Sequence, residues 1–287
     1  MYLQYLVLSL FSTTVYGGFN LNFDSKGDAL ENAAIDFTGE DVAVIKENER
    51  ESFGITDGPL KDACGKVSGR RPDHVWLYKP TLWGDMYTMY NWREVTRTLR
   101  PIGARVVGKE QKPTIVSSQI YKNRSSRTVK MNGKISQEVT NTVENKWSQT
   151  HGLSVTASMT YSFKVVEASM EIGYTSEWGK EETKSESVAV GQEMGFEVEL
   201  EPGESVEAVL SATKGSMIVD VTYRATLDGC CAINYNKGWK GHHYYCYPIG
   251  LVQDTGKLKK HVDIKETIKI GFYSDSHVIV RDKHAKK

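Results

Sequence analysis

The sequence is poor in the features that usually declare an activity. It contains no Gly-x-Ser-x-Gly elbow, no His-Glu-x-x-His pair, no phosphate-binding loop, no dinucleotide fingerprint and no Cys-x-x-Cys. Its His, Asp and Glu residues lack the spacing of a metal site or a catalytic triad, so neither an enzyme nor a cofactor is expected. Net charge is missing as well. Thirty-six Lys and Arg balance 36 Asp and Glu over 287 residues, which removes the bulk basic field that nucleic-acid binding requires. Beyond the N-terminus no run is apolar for long enough to cross a bilayer as a helix. Prolines number only seven, and after Pro101 the chain runs far between breakers, which is the texture of long strands.

What the sequence does contain is a two-faced ribbon. From Leu153 to Phe163 the odd positions are apolar (Leu153, Val155, Ala157, Met159, Tyr161, Phe163) and the even ones carry hydroxyls (Ser154, Thr156, Ser158, Thr160, Ser162). A period of two predicts a strand with one apolar and one polar face. After Lys164 and Val165 the phase flips: Val166, Ala168, Met170, Ile172 and Tyr174 are apolar, alternating with Glu167, Ser169, Glu171, Gly173 and Thr175. A fold-back at Phe163 to Val166 would set Tyr161 against Ala168, Met159 against Met170, Ala157 against Ile172 and Val155 against Tyr174, collecting the apolar residues on one face. The tip lacks the Gly, Asn or Asp that a tight soluble hairpin favours, and an apolar tip suits a loop that ends in lipid. Each arm has about the 9–11 residues that a tilted strand needs to span hydrocarbon. The alternation matches a barrel with lipid outside and water inside, although half-exposed strands of ordinary sandwiches alternate too.

Residues 1–17 read as a secretory signal: the apolar run from Tyr5 to Phe11 is too short to span, and no basic residue precedes it. Four cysteines, Cys64, Cys230, Cys231 and Cys246, suit an oxidising compartment and two disulfides. A vicinal bridge would be strained, so one of Cys230 and Cys231 is expected to pair with Cys246 and the other with Cys64. His242 and His243 beside them offer a competing zinc reading, and with it a metal-dependent secreted enzyme. Asn123-Arg124-Ser125 is a glycosylation acceptor sequence.

Along the mature chain, Asp28 to Phe37 is loosely helical in its spacing. Trp76, Tyr78, Trp83, Tyr87, Tyr90 and Trp92 crowd together as candidate receptor contacts, or as the core of a small module. Ile135 to Trp147 repeats every fourth residue like a helix but is β-branched like a strand. Ser176 to Glu186 is charged and reads as a hinge. Alternating runs at Met194–Leu200, Val206–Leu210 and Met217–Leu227 read as antiparallel hairpins, with Pro202-Gly203 as a turn. Gly229 to Gly250 reads as a disulfide-stapled turn or a second recognition loop. Short strands from Ile264 to Arg281 precede a basic tail, and Lys257, Lys259 and Lys260 offer trypsin-like cleavage sites.

An aromatic N-terminal module followed by long Ser/Thr-rich strands interrupted by an amphipathic hairpin resembles the aerolysin-like β-pore-forming toxins, over roughly Pro101 to Tyr273. The resemblance implies a mainly β fold: an elongated antiparallel sheet module at 106–287 with an insertion hairpin at 151–178, plus a smaller module at 18–105 for receptor or membrane binding. It further implies a secreted protein that binds a target membrane and a receptor, assembles with copies of itself into a ring and inserts a barrel. Ser154, Thr156, Ser158, Thr160, Ser162, Glu167, Ser169, Glu171 and Thr175 would line the lumen. Leu153, Val155, Ala157, Met159, Tyr161, Val166, Ala168, Met170, Ile172 and Tyr174 would face lipid, with Phe163, Lys164 and Val165 at the tip. Glu167 and Glu171 would favour cations. Moving about ten apolar side chains into lipid at roughly 1–2 kcal/mol each would supply on the order of ten kcal/mol. A secreted, non-lytic β-rich binding protein, lectin-like or an egg component, is the alternative reading of the same pattern.

Overall fold

The computed structural model describes residues 18–25, 33–82, 84–148, 152–191 and 194–282. The expected signal segment, Trp83 and the basic tail lie outside the described residues. Three strands set the length of the molecule: β5 (Thr96–Lys122), β12 (Ser205–Asp228) and β15 (His261–Asp282). At about 3.3 Å per residue each approaches roughly 80 Å. They form an antiparallel six-stranded sheet in the order β10 (Thr183–Val190), β7 (Gln137–Trp147), β15, β12, β5, β3 (Asp41–Val44). Alternation decides the faces. Met217, Val219, Val221, Tyr223 and Ala225 of β12 and Ile264, Ile268, Ile270 and Phe272 of β15 are buried on one side of this sheet.

That apolar side is covered by a second sheet in the order β2 (Ala33–Gly39), β1 (Gly18–Ser25), β8 (Ser158–Val165), β9 (Met170–Glu177). Phe19, Leu21 and Phe23 of β1 join Met159, Tyr161 and Phe163 of β8 in a continuous core with the six-stranded sheet. The pairing of β1 with β8 is parallel, Leu21 opposite Tyr161, a departure from an all-antiparallel module. A third sheet holds β4 (His74–Trp76), β13 (Cys230–Trp239) and β14 (His242–Pro248), and β6 (Val129–Lys134) pairs with β11 (Gly195–Leu200).

Several expectations change at this level. Of the stretch Asp28 to Phe37 read as loosely helical, residues 33–37 belong to strand β2, each paired with β1, and residues 28–32 lie outside the described residues. Of Ile135 to Trp147, residues 137–147 are strand β7, and Ile135 and Ser136 lead into it. The helices are instead α1 (Glu47–Phe53), α2 (Asp57–Ser68), the short α3 (Met86–Met89) and α4 (Ile249–Gly256). The sequence reading missed them, although Gly54 and Gly69 close α1 and α2 in the left-handed region, a usual stop signal. The boundary expected after residue 105 falls inside β5, and β1 is stitched to the hairpin strand β8, so the two modules share a core. The tail is one long strand, β15, rather than several short ones. The expected hinge contracts to residues 178–182, and it is tied down: Asn145 donates to the Lys180 carbonyl at 3.1 Å and accepts from the Glu182 N–H at 2.8 Å. The link carrying Lys257, Lys259 and Lys260 is anchored as well, since Gln253 donates to the Lys259 carbonyl at 2.6 Å.

Gly229 to Gly250 is a hairpin of β13 and β14 leading into α4, and Cys230 and Cys246 are bridged across it. Cys231 points inward to Cys64 of α2, sulfur to sulfur at 3.6 Å, both fully buried and unbridged. The zinc set therefore does not assemble: His243 Nδ1 lies 2.8 Å from the Tyr235 carbonyl, His242 is exposed, and among the described residues no cluster of His, Cys, Asp or Glu is arranged for a metal. Replacing Cys230 and Cys246 by Ser is expected to cost about 3 kcal/mol in denaturant unfolding, given the length of the loop they close. Alkylation of the secreted protein under denaturing, non-reducing conditions is expected to label no cysteine, because Cys64 and Cys231 are placed to close a second bridge in an oxidising compartment; two labelled thiols would contradict this.

Candidate functional site

The amphipathic ribbon forms a hairpin in a register other than the one expected. Tyr161 pairs with Tyr174, Phe163 with Ile172 and Val165 with Met170. The displacement is an even number of residues, so the division into faces survives. The tip moves from residues 163–166 to a short 3₁₀ turn over Val166–Ala168, closed by Ser169 at a φ of 48°. Phe163, Lys164 and Val165, expected at the tip, belong to β8. The reason is burial. Phe163 stacks towards Phe23 and Val165 is fully enclosed, whereas a tip at 163–166 would leave both in water.

Of the ten residues expected to face lipid, Leu153, Ala157, Met159, Tyr161, Ala168, Met170 and Ile172 are buried against the six-stranded sheet, Val155 and Tyr174 are half-buried, and Val166 at the tip is exposed. Of those expected to line a lumen, Thr156, Ser158, Thr160, Ser162, Ser169, Glu171 and Thr175 are exposed and Ser154 is half-exposed. Glu167 sits in the turn rather than in an arm. Lys164 lies on the hydroxylated face directly opposite Glu171, so the acidic bias expected of that face is partly neutralised.

The hairpin meets the rest of the fold along one edge, at its base and at its centre, and its outer strand also donates from the Glu171 N–H to Glu186 of β10 at 3.3 Å. Along one edge β1 supplies backbone hydrogen bonds, while β9 is the outer strand of its sheet. At its base, residues 153–157 belong to no strand; the Ala157 carbonyl accepts from the Trp178 N–H at 3.3 Å, and α1 grips the segment: Asn48 donates to the Gly152 carbonyl and to Ser154 Oγ, each at 2.8 Å, and Glu49 accepts from the Ser154 N–H at 3.1 Å. Glu49 is itself fixed by Arg97, which is fully buried and also pairs with Asp41 at 2.6 Å. At its centre, Tyr161 donates to Glu266 of β15 at 2.5 Å. Neither polar clasp has a signal in the sequence, because each joins residues far apart along the chain.

The expected receptor contacts divide. Tyr87 is core, its hydroxyl within 2.9 Å of the carbonyls of Trp76 and Cys230, and burial pushes its pKa well up. Tyr78 turns to Glu47 of α1 at 3.0 Å. Trp76 and Trp92 are half-buried, and Tyr90, stacked on Trp92 at 4.8 Å, is exposed together with Leu82 and Met89. Among the described residues of this stretch, the exposed large apolar side chains are Leu82, Met89 and Tyr90.

No family model matches the sequence. It is 92% identical over 287 residues to U-megalopygitoxin(8)-Mo12 of Megalopyge opercularis, with both chains covered in full. It is 52% identical over 284 residues to U-megalopygitoxin(8)-Mo15 of the same species, covering 99% of this chain and 91% of that one. Among solved structures it is similar to parasporin-2, a Bacillus thuringiensis toxin that recognizes cancer cells, with a TM-score of 0.67 at 18% identity over 86% of this chain and 100% of that one. The shared fold is the aerolysin-like one.

The glycosylation sequence is used for structure. Asn123 is 1% exposed, its amide donates to the carbonyls of Arg127 and Leu200 at 2.7 and 2.9 Å, and its oxygen accepts from the Ser125 N–H at 2.9 Å. Asn123→Ala is expected to destabilise the fold by about 1–3 kcal/mol, since it strands buried carbonyls, and peptide mapping of the secreted protein is expected to find Asn123 unmodified.

Proposed function

From a chain that belongs to the U-megalopygitoxin(8) toxin family and carries the aerolysin-like fold, we propose a secreted pore-forming protein whose β8–β9 hairpin undocks on a target membrane. In a ring of copies the hairpins then join into one transmembrane barrel. The family and the fold are those of a non-enzymatic toxin. The observation that carries the proposal is the hairpin itself: one face apolar and dry against a sheet, the other hydroxylated and wet, with β1 as its neighbouring strand on one side and, among the described residues, no strand paired to β9 on the other, where the Glu171 N–H donates to Glu186 of β10 at 3.3 Å.

Each face has a second place where it would be satisfied. The apolar side suits lipid and the hydroxylated side suits a lumen. In a bilayer the outer edge of β9 would leave backbone groups without partners, so a single hairpin is unstable there and only a closed barrel is allowed. The six-stranded sheet offers the lateral contacts for such a ring. β10 ends it on one side, and on the other β5 runs on past Leu99 with no strand paired to its outer edge among the described residues, although β2 approaches it, and with Ile102, Val107, Ile115 and Ile120 exposed.

The energetics differ from the expectation built on the sequence. Because seven of the ten apolar residues are already buried, moving them into lipid exchanges one apolar medium for another and gains far less than transfer from water. Strand pairing between copies must then supply the drive, and permeabilisation should depend steeply on protein concentration. Burial also spoils the obvious mutational test: a charge at Met159 or Ile172, 1% and 7% exposed, would unfold the soluble chain.

A lock on the wet face avoids that problem. Asn20 of β1 and Thr160 of β8 are exposed register partners, and Asn20→Cys with Thr160→Cys is expected to abolish dye release from vesicles and SDS-resistant oligomers until a reductant is added. Unchanged release by the oxidised protein would defeat the proposal. In planar bilayers, Lys164→Gln is expected to increase cation preference and Glu171→Gln to reduce it, read as opposite shifts in reversal potential.

A further inference from the structure

The floor beneath the hairpin holds a carboxyl group with no cation beside it. Glu266 of β15 is 0% exposed. Its Oε1 accepts from the Tyr161 hydroxyl at 2.5 Å and from Asn145 Nδ2 at 3.1 Å, and its Oε2 accepts from the Tyr223 hydroxyl at 2.9 Å. All three donors are neutral. Around it, β8 presents Tyr161, β9 presents Tyr174 stacked on Tyr161 at 4.7 Å, β12 presents Tyr223, β7 presents Asn145 and Trp147, and β1 brings Phe19 against Tyr223. The ionised groups at its rim are Lys180, Glu181, Glu182 and Lys184. Lys180 and Glu182 pair with each other at 2.9 Å and bond through their backbones to Asn145. Lys184 of β10 lies over the Tyr174 ring at 5.5 Å and pairs with Glu182 at 3.5 Å, and Glu181 accepts from the Trp147 N–H at 3.3 Å; none of the four bonds to Glu266.

We propose that Glu266 is a pH-dependent catch for the hairpin: protonated it tolerates the docked β8–β9 sheet, and ionised it works against docking and favours release. This rests on the reading that β8 and β9 undock. When they leave, Tyr161 departs with them and Glu266 meets water, so the cost of keeping a carboxylate dry is relieved at the moment of release. Burial raises the Glu266 pKa above its ordinary 4.5, with the hydrogen bonds from Tyr161, Tyr223 and Asn145 opposing that rise. Burial also raises that of Tyr223, which stays a neutral donor. The sign follows directly. The docked state holds the Glu266 proton more tightly than the released state, so docking is firmest below the ordinary carboxylate range. It weakens as pH rises through that range to the docked value, and changes no further above it.

Hydrogen exchange of the β8 amides in the full-length protein, corrected for intrinsic rates between about pH 4.5 and 8, tests the catch without a membrane. Wild-type exchange is expected to accelerate about ten-fold for each unit separating the docked from the released pKa, while Glu266→Gln holds within about two-fold and exchanges more slowly at the upper end. Tyr223→Phe removes one donor to the carboxylate and is expected to move the wild-type midpoint to higher pH; should Glu266→Gln not fold, this shift decides the matter. Parallel profiles for wild type and Glu266→Gln, faster exchange by Glu266→Gln at every pH, or an unmoved midpoint in Tyr223→Phe would each overturn the catch. Dye release from phosphatidylcholine–cholesterol vesicles is followed in parallel. Release that rises with pH in wild type and stays flat in Glu266→Gln supports both the catch and the pore. The expected exchange behaviour with no release at any pH keeps the catch and overturns the pore.

Discussion

A strand that is apolar on one side and hydroxylated on the other can be satisfied in two places, and the structure depends on that constraint. In the soluble chain the apolar side of β8 and β9 is dry because β12 and β15 present an apolar face of matching length. Without that floor the hairpin would expose Met159, Tyr161, Phe163, Met170 and Ile172 together, a patch that no monomer carries harmlessly. The long strands are therefore more than scaffold. They cover a segment whose alternating pattern would suit lipid and water as well.

The polar contacts are graded against this background. β1 bonds the hairpin along one edge, α1 grips its base and Glu266 meets it at the centre. The first two hold. The buried Arg97, flanked by Asp41 and Glu49, fixes α1 in place with charges that compensate one another. Glu266 has no such compensation. A buried carboxyl without a cation carries a desolvation cost that a paired one would recover in part.

The aromatic module illustrates how little composition says about exposure. Five of the six rings close together in sequence, Trp83 lying outside the described residues, scatter into core, helix contact and surface once β4, β13 and α3 are packed, and the exposed side chains include Leu82 and Met89, which carry no aromatic signal. A ring whose face is packed cannot stack on a ligand, so the cluster as a whole is not a contact surface.

The sequence by itself determined the period-two alternation, the division of residues 153–175 into two faces, the long-stranded texture and the pairing partner of Cys246 to within one residue, because each follows from local pattern and strand geometry. It did not determine where the hairpin turns. Two registers separated by an even step keep the same faces, and only the packing of Phe163 on Phe23 and the enclosure of Val165 choose between them. The clasp of Asn48 and Glu49 on Ser154, the parallel partnership of β1 with β8 and the isolation of Glu266 were decided by tertiary structure alone. Each joins residues that the chain keeps far apart, and no periodicity records which distant neighbour a side chain will meet.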